Sequence, residues 1–141
     1  MHGHIYWTEL ITSDPDAVQA FYGETLGWTF DAMPMPDGST YWIIMMDEEV
    51  VGGMMDLAAM QGLPPDTRSH WFTYVAADDV ERRMKTVTRS GGTIVRPMWD
   101  LPGIGRLAIV RDPSGALLGW IEPADDEEDE GDFVSSDYPA A

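Results

Sequence analysis

The chain has 141 residues, 44% of them apolar, which is enough for one domain with a real hydrophobic core and too short for two ordinary ones. Its 25 acidic against 8 basic residues give a formal charge of −17, so the basic footprint that nucleic-acid binding requires is missing and that partner class is excluded. There is no cysteine, which rules out disulfides, thiolate nucleophiles and thiolate zinc sites and leaves His, Asp and Glu as potential metal ligands.

The opening MHGHIYWTEL lacks the basic and apolar segments of a secretory signal, and no stretch approaches the ~18–20 apolar residues that span a bilayer. The expectation is a soluble cytoplasmic protein without a membrane partner. Residues 4–12 mix aromatic, β-branched and polar residues as a strand does. Asp14-Pro15 then supplies an N-cap and a proline at the first helical position, and Val18, Phe21, Tyr22 and Leu26 share one face up to Gly27, predicting a helix over 14–26. Strands are predicted over 28–33, 40–46 and 50–55, separated by turns at Pro36-Asp37-Gly38-Ser39 and Asp47-Glu48-Glu49.

The order then repeats. A strand over 70–76 precedes a helix capped by Asp78 or Asp79, with Val80, Met84 and Val87 as its apolar line and Gly91-Gly92 at its end. Strands follow over 93–98, 106–111 and 116–121, with turns at Pro102-Gly103 and Asp112-Pro113-Ser114-Gly115. Two βαβββ modules, about 4–56 and 70–123, make an α+β domain over 1–123, because each module's sheet has a second face to bury. From 124 to 141 the chain carries eight acids and no Lys or Arg, a composition that predicts a disordered acidic tail, with Phe133, Val134 and Tyr138 as its only anchors for docking.

AFYGETLGW (20–28), the Gly91-Gly92 pair and RDPSGALLGWIEP (111–123) together resemble the vicinal oxygen chelate superfamily, which includes glyoxalase I, bleomycin-resistance proteins and extradiol dioxygenases. The resemblance covers residues 5–123 and implies two paired βαβββ modules whose curved mixed sheets enclose a cleft. It also implies four places where metal-dependent members hold a divalent ion: Trp7, a position within 50–55, His70 and Gly119. One of these four carries a possible ligand, whereas protein metal sites ordinarily have three or more. The expectation is no metal and no cofactor, unless a shift of register brings in Asp56 or Glu122.

Strand parity puts Trp7, Glu9 and Ile11 on one face and Tyr6, Thr8 and Leu10 on the other. The resemblance turns the Trp7 face into the cleft. Glu9 then lies beside an aromatic wall, where desolvation raises a carboxyl pKa and suits it to act as general base or polar anchor. An exposed or ion-paired strand Glu, with an arginine such as Arg106 as partner, is the competing reading. His70 is the other catalytic candidate, against a purely structural hydrogen-bonding role, and it shares parity with Phe72 and Tyr74. Trp7, Glu9, Trp42, His70, Phe72 and Tyr74 form the expected ligand-binding set; for Trp42 and the other tryptophans and methionines, core packing is the alternative. Asp14, Asp37 and Asp112 read as caps and turns.

Three functions are compatible with these residues. The first is binding of a small, partly apolar or aromatic molecule, to sequester it or to act on it without a metal; the second is a metal-dependent lyase, isomerase or dioxygenase with displaced ligands. The third is a non-catalytic interaction protein working through its tail. The expected partner is a small-molecule ligand, with the chain a monomer or homodimer.

Overall fold

The computed structural model describes residues 1–124, so the expected tail lies, apart from Ala124, outside the described residues. The described chain forms two compact units: Thr8–Phe72, and Met1–Trp7 together with the described residues from Thr73 to Ala124. No helix among the described residues is long and apolar enough to cross a membrane.

The first unit contains most of β1 (Ile5–Thr12), then α1 (Pro15–Leu26), β2 (Thr29–Pro34), β3 (Thr40–Met46) and β4 (Glu49–Asp56), with the start of β5 (His70–Ala76) at its end. The Asp14 side chain caps α1 by accepting the Ala17 N–H at 3.1 Å, Pro15 follows at the first helical position, and Gly27 ends the helix with φ 80°. That left-handed conformation is open to glycine at little cost. The strands order as β2-β3-β4-β1, with β1 and β4 parallel and the other pairs antiparallel. Leu10, Ile44 and Met54 form a core on the side where Val18 and Tyr22 of α1 pack, joined by Trp28, Phe30 and Trp42.

In the second unit, α2 (Val80–Met84) follows β5, and β6 (Thr93–Leu101), β7 (Gly105–Arg111) and β8 (Leu117–Pro123) complete the sheet. Its order is β5-β8-β7-β6, again with the first and last strands parallel. Ala77, Val80 and Ala108 make the corresponding core, covered by Met84, Met98 and Trp120. The second helix is shorter than its apolar line suggested. Thr86, Val87 and Thr88 are β-branched and poor helix formers, the Thr86 hydroxyl bonds back to the Arg83 carbonyl, and the chain tightens into a 3₁₀ turn at Thr88–Ser90. Asp79 caps the helix through the Arg82 N–H, while Asp78 pairs with Arg83.

The repeat predicted from element order is therefore also a repeat of topology, and the registers align it residue by residue. Across the first sheet runs the row Glu9, Gly53, Ile43, Asp31; across the second, Tyr74, Gly119, Ile109, Arg96. Each row has a glycine on the last strand and an isoleucine, at most 1% exposed, beside it. Removing the Asp14 cap with Asp14→Ala is expected to lower stability by about 1 kcal/mol, read by urea unfolding, with no change in the folded circular dichroism spectrum.

Candidate functional site

Glu9 lies on the face of β1 opposite Leu10 and is 4% exposed, a carboxylate set in the middle of a sheet. Burying such a group is costly unless hydrogen bonds replace its water. The Tyr41 hydroxyl donates to Glu9 Oε1 at 2.8 Å. Tyr41 belongs to β3, two strands away, and can reach across because β4 presents Gly53 at the crossing. A Cβ built on Gly53 would fall on the Tyr41 hydroxyl, and one on Gly52 would collide with the Thr8 carbonyl. The V-V-G-G-M-M run is thus the opening through which a phenol meets a carboxylate. Arg106, the alternative partner considered for Glu9, instead pairs with Asp100 at 3.4 Å.

His70 stands at the start of β5 with its Nδ1 2.6 Å from the Arg68 carbonyl oxygen. A carbonyl only accepts, so Nδ1 carries a proton, and in that neutral tautomer Nε2 is a lone-pair acceptor. That Nε2 is buried and meets no hydrogen-bond partner among the described residues. Phe72 packs edge-on against the imidazole, ring centres 5.9 Å apart, and is itself 2% exposed. Such a nitrogen can accept a proton or a ligand's N–H or O–H.

The other predicted residues separate. Trp42 is on the α1 side with Leu10 and Met54, on the face away from Glu9. Trp7 shares the Glu9 face of β1 and is partly buried. Tyr74, 5% exposed, belongs to the second unit. Asp56 turns to the Ala58 N–H, and Glu122 accepts the Val80 N–H at 2.9 Å, so each is engaged with backbone and neither completes a metal set. Asp37 and Asp112 hold turns, and the hydroxyls of Ser39 and Ser114 keep their carboxyls below the usual range.

The registers also revise one of the four positions taken from the family resemblance. Matching the two rows at their glycines sets Glu9 against Tyr74, which pairs Trp7 with Phe72 and His70 with Ile5. By the same rows the position equivalent to Gly119 is Gly53. Trp7, Gly53, Phe72 and Gly119 offer no ligand atom from any side chain. Among the described residues no group of three or more His, Cys, Asp or Glu is placed to hold a metal ion. The residues present do not fit the family's divalent-metal site.

A cavity of about 810 Å³ lies in the second unit, bordered by Asp78, Asp79, Asp100, Arg106 and Glu122 and by none of the predicted site residues. Its Asp78 is bound by Arg83, which holds the carboxyl below its ordinary value, and Asp100 by Arg106. These contacts account for the charges bordering the cavity.

Sequence reasoning missed Tyr41, which it took as part of an apolar run. The available signal was the pair of glycines in a strand otherwise rich in large residues. Tyr41→Phe is expected to cost about 1–3 kcal/mol by taking a hydrogen bond from a buried carboxylate, and Gly53→Ala to cost at least as much by displacing the phenol; urea titrations of both variants measure this.

Residues 4–119 match the model of the Glyoxalase/Bleomycin resistance protein/Dioxygenase superfamily. The glyoxylase-named protein CFP32 of Mycobacterium tuberculosis is 34% identical over 122 residues, covering 86% of this chain and 45% of that protein. The anthracycline biosynthesis protein DnrV of Streptomyces peucetius is 29% identical over 121 residues, covering 79% of this chain and 44% of its own length. The chain thus spans about half the length of the curated relatives it matches. Methylmalonyl-CoA epimerase from Mycobacterium tuberculosis has a similar fold, with TM-score 0.58 at 13% identity over 86% of this chain and 88% of that one. With the duplicated strand order and the match across both halves, the chain belongs to the Glyoxalase/Bleomycin resistance protein/Dioxygenase superfamily.

Proposed function

We propose that this chain binds a small, partly apolar or aromatic molecule without the family's metal, with Glu9 as its polar anchor and His70 Nε2 as a second acceptor. The observation that carries the reading is the buried Glu9 carboxylate, fixed by Tyr41 on the strand face it shares with Trp7. A carboxylate there costs folding free energy that an apolar residue would not, and a ligand-binding role is a reason for its presence. With no ligand atom at Trp7, Gly53, Phe72 and Gly119, the chemistry left to the chain is hydrogen bonding and proton transfer. Glu9 accepts from a ligand hydroxyl or amine, or takes its proton, and the His70 ring, in its Nδ1–H tautomer, does the same through Nε2. The relative named for anthracycline biosynthesis fits a flat aromatic ligand.

The test is a set of thermal melts with doxorubicin, as a planar anthracycline, and a panel of flat apolar molecules. A ligand at about 100 times its dissociation constant adds ~2.7 kcal/mol, a rise of a few degrees in a domain of this size. Glu9→Gln and Trp7→Ala should each weaken that ligand while leaving the fold intact. A ligand that binds wild type and both variants equally removes Glu9 from the site.

The glyoxylase-named relative supports a second reading, a metal-dependent enzyme with displaced ligands. Elemental analysis of the purified, tag-free protein decides between them: the first reading expects no stoichiometric Ni, Zn, Fe or Mn. About one ion per chain, lost on His70→Ala, would establish the second.

A further inference from the structure

The four strands β1–β4 carry Glu9, Asp31, Glu49 and Asp56 and no Lys, Arg or His. Across residues 8–72 eleven acids stand against a single Lys or Arg, Arg68, whereas residues 73–123 hold the other seven bases with six acids. The first unit is thus the negative one, and its field draws cations in and turns anions away. On the Glu9 face the row Glu9, Gly53, Ile43, Asp31 ends in a second carboxylate, three strand spacings or about 14 Å from the first. Asp31 is exposed, and its carboxylate meets no cation among the described residues. The next row on that face, Ile11, Met55, Tyr41, Met33, sets a half-buried thioether on either side of the tyrosine.

The corresponding place in the second unit holds a cation of its own. Arg96 ends the row there as Asp31 does in the first, and its guanidinium carbon lies 3.5 Å from the centre of the Trp99 ring. Residues three apart on a regular strand point to opposite faces. Here Pro97 has no N–H for the ladder, and the pairing shifts between Ile94 and Arg96 and again between Arg96 and Trp99, which brings the two side chains together. The first unit has no such group at Asp31, and the polar groups of its site are acceptors. Tyr41 already donates to Glu9, Asp31 is a carboxylate, and the buried His70 Nε2, in the Nδ1–H tautomer, accepts and has no donor among the described residues. The unit lacks positive charge and N–H groups, and an ammonium brings both.

We propose that the ligand of this face is an amine, an ammonium group on a flat apolar body, with Asp31 as the anchor of its charge and the Met33–Tyr41–Met55 row beneath the body. This rests on the reading that the Glu9 face takes a flat molecule, and it adds the sign of that molecule's charge and the residue that meets it. Thioethers beside an aromatic ring make a polarizable floor for a ring system. An exposed carboxylate loses little hydration when it takes an ammonium, whereas an organic acid would bring a further anion into a field already negative.

The probes are three naphthalenes of one shape: 2-(aminomethyl)naphthalene, a cation; 2-(hydroxymethyl)naphthalene, which donates a hydrogen bond without charge; and the anion 2-naphthoate. Each is titrated into the full chain at neutral pH and about 20 mM salt, and saturable amide shifts are followed by NMR. The amine is expected to bind about tenfold tighter than the alcohol, and naphthoate to give no saturable shift. Asp31→Asn should weaken the amine about fivefold and leave the alcohol unchanged. Asp31→Glu should keep the wild-type order, and Asp66→Asn, which removes the same charge from an exposed loop, should alter neither ligand. Raising the salt to about 300 mM should weaken the amine alone, and this arm and the three-probe series need no variant. Alcohol or naphthoate binding as tightly as the amine would overturn the proposal while leaving a site for flat molecules in place. An amine affinity that Asp31→Asn leaves unchanged, or that Asp66→Asn lowers as much, would overturn it too. If none of the three binds saturably up to about 5 mM, the face is no site for flat molecules and both readings fall.

Discussion

A carboxylate in the interior of a sheet needs a donor that can reach it, and in the first unit that need is met by leaving a side chain out. Gly53 opens β4 so that Tyr41 can extend from β3 to Glu9. The parallel register of β1 and β4 sets this crossing, because it places Gly53 beside Glu9, while the antiparallel register of β3 places Ile43 on its other side. A slip of one residue would turn Glu9 toward α1 and Leu10 away from it. Register, helix packing and polar site are therefore one constraint, enforced on one side by the Leu10, Ile44 and Met54 core and on the other by the Tyr41–Glu9 hydrogen bond.

The second unit repeats the same grid with different chemistry. Where the first has Glu9 it has Tyr74, and where the first has Asp31 it has Arg96, while glycine and isoleucine stay in place between them. At the positions that the family resemblance points to for metal ligands, with the two rows matched at their glycines, stand two aromatic rings and two glycines.

Element order was readable because its signals are local. Asp14-Pro15 and Gly27 mark both ends of α1, and the turns at Asp37 and Asp112 announce themselves through side chains that accept neighbouring N–H groups. The face of Glu9 was also readable, since parity alone separates it from Leu10. Its partner was not, because Tyr41 is 32 residues away and the contact depends on how two strands pair. The same limit applied to His70: counting back from the strand's end sets it against Trp7, whereas matching the glycine rows of the two ladders sets Phe72 there. The Arg96–Trp99 stack lay beyond sequence reasoning for a related reason, since strand periodicity predicts the two side chains on opposite faces.

Pro97 has a further consequence for how molecules of this chain meet one another. Among the described strands β6 pairs only with β7, and β2 only with β3, so each has backbone groups with no neighbouring strand. An incoming strand from another chain would seek those groups as a template for intermolecular β-structure. Pro97 withholds a donor from β6 and the double shift bends its line, while Pro34 withholds one at the end of β2. The irregularity that orients a cation thus also acts as a guard against edge-to-edge aggregation.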